Sequence, residues 1–114
     1  MTAATDFTLV CHLDDIPMRG ARRIYTSAYE VAIFRTSDNK VFALKDECPH
    51  KKAALSGGIV HGHSVACPLH NWVIDLASGQ AQGMNKGCTP ALATRMDETG
   101  NIYLAIPTAE GAAA

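Results

Sequence analysis

Apolar and polar residues alternate along this chain in short runs, none of them long enough for a helix of ordinary length. The segments Phe7 to His12, Arg22 to Tyr25, Val31 to Arg35, Val41 to Leu44, Ile59 to His61, Ser64 to Ala66, Trp72 to Leu76, Ala91 to Met96 and Ile102 to Ile106 are apolar or alternating, and rich in β-branched and aromatic residues. That is the pattern of strands. Turn signals separate them, among them Asp14-Asp15, Met18-Arg19-Gly20, Gly57-Gly58 and Asn85-Lys86-Gly87. Four connections read as hairpin turns: Asp38-Asn39, His61-Gly62-His63, Ser78-Gly79 and Thr99-Gly100-Asn101, where Gly or Asn accepts a positive φ. Only Leu13 to Pro17 suggests a single helical turn, and no internal repeat is present. The pattern predicts an all-β fold, an antiparallel β-sandwich or barrel. Residues 107–114 are small and patternless, a frayed tail.

Composition narrows the function classes. A chain of 114 residues with 47% hydrophobic content fits one domain spanning residues 1–114. Ten basic against eleven acidic residues leave a formal charge of −1, with no long Lys/Arg run, so nothing attracts a nucleic acid. No run of about 18 apolar residues points to a membrane span. The stretch Met1 to Asp6 carries no export signal, which predicts a cytoplasmic protein. In that compartment four cysteines read more readily as metal ligands than as disulfides.

The informative stretch is Cys48-Pro49-His50, sixteen residues, then Cys67-Pro68-Leu69-His70. Each short loop follows a predicted strand and offers one thiolate and one imidazole, so two loop tips could close on one centre. The residue types admit two centres. A [2Fe–2S] cluster with two Cys on one iron and two His on the other uses this set, and its neutral imidazoles raise the reduction potential relative to four thiolates. A single tetrahedral Zn²⁺ also takes two Cys and two His. Zinc modules more often pair Cys with Cys and His with His, so the alternating order favours the cluster.

These two motifs resemble those of the Rieske family, C-x-H and then C-x-x-H after a spacer. The resemblance implies Cys48 and Cys67 as thiolate ligands of one iron and His50 and His70 as imidazole ligands of the other, in one Rieske-type [2Fe–2S] cluster. It also implies a β-sandwich or barrel with an inserted two-loop cluster-binding subdomain, about residues 46–84. Pro49 and Pro68 match the family and would stiffen the loops. High-potential members carry a disulfide and hydroxyl donors near the cluster; here the corresponding positions are Ala53, Leu69, Trp72 and Ile74. The resemblance therefore implies a low potential.

Within the family, Asn71-Trp72 after the last ligand and Gly87-Cys88 in the third loop resemble the small subunit of assimilatory NAD(P)H nitrite reductase. That likeness implies an electron-transfer subunit, not catalytic alone, serving a large flavin- and sirohaem-bearing partner that reduces nitrite to ammonia in nitrate assimilation. The alternative is the Rieske ferredoxin of an aromatic-ring-hydroxylating dioxygenase, with a flavin reductase and an oxygenase as partners. A zinc-stabilised interaction module is the reading from a different class. The chain departs from both families at Lys52-Ala53-Ala54, where relatives carry Gly-Gly-Pro, and at Met84 in the third loop, where Pro is common.

Other residues weigh less. Lys51 and Lys52 read either as solvated charges or as a docking pair. Trp72 reads as packing beneath the cluster loop. Cys88 reads as a buried inert thiol and Cys11 as core. His61 and His63 read as exposed turn residues, and His12 carries no evident role. No pair of acidic residues has a spacing suited to general acid–base catalysis.

Overall fold

The computed structural model describes residues 7–26, 28–48, 54–67, 72–82 and 87–105. Among them the strands are β1 (Phe7–His12), β2 (Ala21–Tyr25), β3 (Glu30–Arg35), β4 (Val41–Lys45), β5 (Ile59–His61), β6 (Ser64–Ala66), β7 (Val73–Asp75), β8 (Ala91–Leu92), β9 (Thr94–Met96) and β10 (Asn101–Ala105). The remaining regular structure is two 3-10 turns, Leu13–Asp15 and Leu55–Gly57. No helix among the described residues is long and apolar enough to cross a membrane. The strands form three antiparallel sheets, ordered β1-β10-β9, β2-β3-β4-β8 and β5-β6-β7.

β3 explains how the sheets stack. Val31, Ala32, Ile33 and Phe34 are all fully buried, although successive strand residues point to opposite faces. Val31 and Ile33 join Cys11, Ile16, Ala43, Ile102 and Leu104 in one core, under the β1-β10-β9 sheet. Ala32 and Phe34 join Leu44, Leu55, Val60, Val65, Ile74 and Leu76 in a second core, against the β5-β6-β7 sheet. The four-stranded sheet is thus covered on both faces, which is why β3 reads as a continuous apolar run while β10 alternates.

The expected strands are present with small changes of boundary, and the four hairpin turns carry positive φ at Asn39, Gly62, Gly79 and Gly100. Two expectations need correction. Ala91 to Met96 is two strands in different sheets: Leu92 pairs with Ala43 of β4, whereas Thr94 pairs with Leu104 of β10. Ala93 is the crossing point, its carbonyl accepting from the Ala105 amide at 3.0 Å. Alternation has the same period in both sheets, so hydropathy does not register the change. At the turn signal Gly57-Gly58 the chain forms a 3-10 turn, Leu55–Gly57, where the sequence predicts no helical turn; Leu55 is fully buried and pins it to the second core. The turn at Leu13–Asp15 is where the sequence places it.

Candidate metal centre

The two cysteines of the motif leave the sheets at equivalent places. Cys48 lies three residues beyond the end of β4, whose exit is held by the Asp46 amide donating to the Glu30 carbonyl at 2.9 Å. Cys67 follows β6 directly, and its amide donates to the Trp72 carbonyl at 2.7 Å, closing the second loop at its base. Cys48 is 1% and Cys67 0% exposed, and both belong to the core between the four-stranded sheet and β5-β6-β7. Trp72, half-buried, packs against that same core. Two thiols nineteen positions apart in sequence are therefore brought into one apolar layer, where little water reaches a thiolate–metal bond.

His50 and His70 lie outside the described residues, as do Pro49, Lys51, Lys52, Ala53, Pro68, Leu69 and Met84. Among the described residues no three His, Cys, Asp or Glu gather into a metal-sized group. The two buried thiols are thus the described half of the two Cys/His motifs, and two thiolates with two imidazoles would fit a [2Fe–2S] cluster.

A polar network frames the first loop. The Asp46 side chain is fully buried, and its Oδ1 accepts from the Ser56 amide at 2.7 Å. Its Oδ2 accepts from Ser56 Oγ at 2.7 Å and from Arg23 Nε at 2.8 Å. Arg23 Nη2 also donates to Ser56 Oγ at 3.3 Å, and Arg23 Nε lies 3.4 Å from Glu30. Sequence reasoning missed this trio. Its members sit ten and twenty-three positions apart, and no local signal marks a lone Asp that will find partners at such range.

Five other residues singled out by the sequence lie outside the two Cys/His motifs. Cys88 is exposed, against the expectation of a buried thiol. It bridges to Gln80, and its neighbour Thr89 takes the inward place, 3% exposed with its hydroxyl donating to the Lys45 carbonyl at 3.3 Å. Cys11 is core, as expected, and burial pushes its thiol up while Arg22 offsets part of that. His61 and His63 are exposed at the β5–β6 tip; His63 Nε2 lies 3.0 Å from Asp38 Oδ2, and its ring rests 5.3 Å from Phe42. His12 has a role the sequence did not suggest. Its Nδ1 accepts from the Asp14 amide at 3.0 Å, capping the first 3-10 turn, and its Nε2 meets the Thr99 carbonyl at 2.6 Å.

Comparison with known proteins follows the same outline. The family model for the Rieske [2Fe-2S] domain matches residues 6–95. The 3-phenylpropionate/cinnamic acid dioxygenase ferredoxin subunit of Photorhabdus laumondii is 35% identical over 104 residues, covering 85% of this chain and 91% of the relative. A crystal structure of a Mycobacterium tuberculosis protein assigned as an NADH-dependent nitrite reductase small subunit superposes with a TM-score of 0.82, at 22% identity over 93% of this chain and 99% of that one, and shares the fold. A second structure, assigned as an NADPH nitrite reductase small subunit, has a TM-score of 0.75 at 27% identity over 87% and 97% of the two chains. Longer proteins share only part of this likeness: the chain spans 15% of the 4beta-methylsterol monooxygenase of Methylococcus capsulatus, 33% identical over 57 residues.

Proposed function

The chain belongs to the Rieske [2Fe–2S] family, and from that premise we propose that Cys48 and Cys67 hold one iron of its cluster and His50 and His70 the other. The observation that carries the assignment is the burial of Cys48 and Cys67, the only cysteines of the two motifs, in one core at the bases of two loops. Cys11 lies in the other core and Cys88 faces solvent. We take the chain as one domain, residues 1–114, with its cluster-binding part at about 46–84. When bound, a [2Fe–2S] cluster supplies one-electron transfer. The chain's own residues hold it, keep water from the thiolates with Leu55, Val60, Val65 and Trp72, and present the two loops to a partner.

The chain is an electron-transfer protein of an oxidoreductase system. Our leading reading of that system is an assimilatory NAD(P)H nitrite reductase of the cytoplasm, with this chain as its small subunit beside a large flavin- and sirohaem-bearing one. It is supported by Asn71-Trp72 and Gly87-Cys88 and by the likeness to two structures so assigned, one at 27% identity over nearly its whole length. The second reading is the ferredoxin of a ring-hydroxylating dioxygenase, favoured by 35% identity along 91% of one such subunit.

Anaerobic purification, iron analysis and low-temperature EPR of the dithionite-reduced protein test the ligand assignment. Two irons per chain and a rhombic signal of low average g are expected, lost in Cys48→Ser, His50→Ala, Cys67→Ser and His70→Ala and kept in Cys88→Ser. A variant that keeps the signal removes its residue from the ligand set. Affinity purification from the native host separates the two systems: a sirohaem-bearing partner supports the first, a flavin reductase with a Rieske oxygenase the second.

A further inference from the structure

Asp46 presents a problem that its neighbours solve. A carboxylate two residues before Cys48, with a side chain wholly out of water, is a large cost unless its charge and lone pairs are matched. Three donors match it: the Ser56 amide, the Ser56 hydroxyl and the Arg23 guanidinium, at 2.7, 2.7 and 2.8 Å. Their positions in the chain matter as much as their distances. Asp46 stands just before the first ligand loop and Ser56 just after it, so the carboxylate ties the two ends of the loop together. Arg23, in the middle of β2 and one strand removed from β4, anchors that knot across β3. Ser56 lies in the 3-10 turn whose first residue, Leu55, shares the buried core with both motif cysteines.

We propose that Arg23, Asp46 and Ser56 form a clamp with two separable effects: it positions the first ligand loop without a covalent cross-link, and its internal ion pair cancels a negative charge that would otherwise oppose reduction of the cluster. The inference rests on Cys48 and His50 being ligands. The first effect belongs to hydrogen bonds spanning residues 46 to 56. The second belongs to the charges: adding an electron to the cluster adds negative charge nearby, so an unmatched Asp46 carboxylate disfavours the reduced state, and an unmatched Arg23 guanidinium favours it. The two partners act as positioning and charge-setting residues, with opposite signs.

Redox titration of the purified holoprotein, followed by visible absorption, separates these roles. Arg23→Gln should lower the midpoint and Asp46→Asn raise it, each changing the reduction equilibrium constant at least about threefold, or about 28 mV for a one-electron couple. The double variant should return near wild type. Replacing the 37%-exposed Arg23 leaves Asp46 both Ser56 hydrogen bonds, so Arg23→Gln is the variant to read where Asp46→Asn does not fold, and Arg23→Lys supplies the charge rescue. Lys should keep the midpoint that Gln lowers; if Lys and Gln move it alike, or if Gln does not lower it, the electrostatic effect is overturned. Ser56→Ala changes no charge. It should hold the midpoint within the threefold window and release iron to a chelator several times faster, and an unchanged release rate overturns the positioning effect. A failure of the ligand assignment shows elsewhere, as Cys48→Ser protein that retains its EPR signal.

Discussion

At Gly79 a side chain has nowhere to go: φ is +78°, and a Cβ would stand 2.0 Å from the Thr89 carbonyl oxygen. Gly62, φ +60° at the β5–β6 tip, has nothing within 4 Å of the same position. Gly62→Ala should therefore cost only the left-handed penalty, about 1–2 kcal/mol. Gly79→Ala adds a displaced backbone, including the Thr89 amide's bond to the Gly79 carbonyl at 2.8 Å, and should cost more than twice as much in urea unfolding. Equal losses would contradict this account. Hydroxyl groups matter in a second place. Trp72 and Ile74, at positions where high-potential family members carry hydroxyl donors, have none to offer, and Ile74 is fully buried in the core that holds the motif cysteines. Without those hydroxyl donors to the cluster sulfurs the potential is lower, so the midpoint should fall in the lower part of the range of roughly −150 to +300 mV. A value above about +100 mV would refute it.

Turns and strands carry their own electrostatics. In the β3–β4 turn Asp38 accepts from the Thr36 hydroxyl and faces His63 of the β5–β6 tip; in the β9–β10 turn Asp97 accepts from Thr99 and Asn101. The Thr36 hydroxyl, followed by His63, holds the Asp38 carboxyl down at about 2, and Thr99, with help from Asn101, holds Asp97 at about 2. Both carboxylates ionise more readily folded than unfolded. Their contribution is thus present above about pH 4 and is lost as pH falls toward 2. Asp97→Asn should flatten the fall in urea-unfolding stability between those values relative to wild type; parallel curves would exclude the effect. These turns show what the sequence reveals at this scale. Asp38-Asn39 and Thr99-Gly100-Asn101 were legible because turn chemistry is local. Ala93, where the chain leaves β4 for β10, was not, because its partner strands are chosen by contacts far along the chain. Cys88 was misread for a related reason: residue type suggests burial, but which of Cys88 and Thr89 points inward is decided by pairing with Gln80. The motif cysteines stand out in the sequence by their spacing, but their burial in one core, like the contacts of Asp46, Arg23 and Ser56, is visible only in three dimensions.

Across the whole molecule the two cores divide the labour. The one under β1-β10-β9 contains neither motif cysteine, while the other contains both and packs β3 and β4 against β5, β6, β7 and the turn at Leu55–Gly57. Removing the cluster should therefore loosen the second core first. Hydrogen exchange of the iron-free protein should show lost protection at Val65, Cys67 and Ile74 with β1 and β10 still protected; uniform loss across all three sheets would show a single cooperative core instead. The division also says something about how this chain can be wired. Phe7 and Ala105 are paired neighbours at one end of the β1–β10 ladder, in the sheet on the far side of the central layer from the core that buries Cys48 and Cys67. A linker, electrode tether or second protein joined at either of these points starts from the same spot. Both attachments lie across the central sheet from the core that buries Cys48 and Cys67, so a fusion made at either end begins on the side of the molecule away from those thiols.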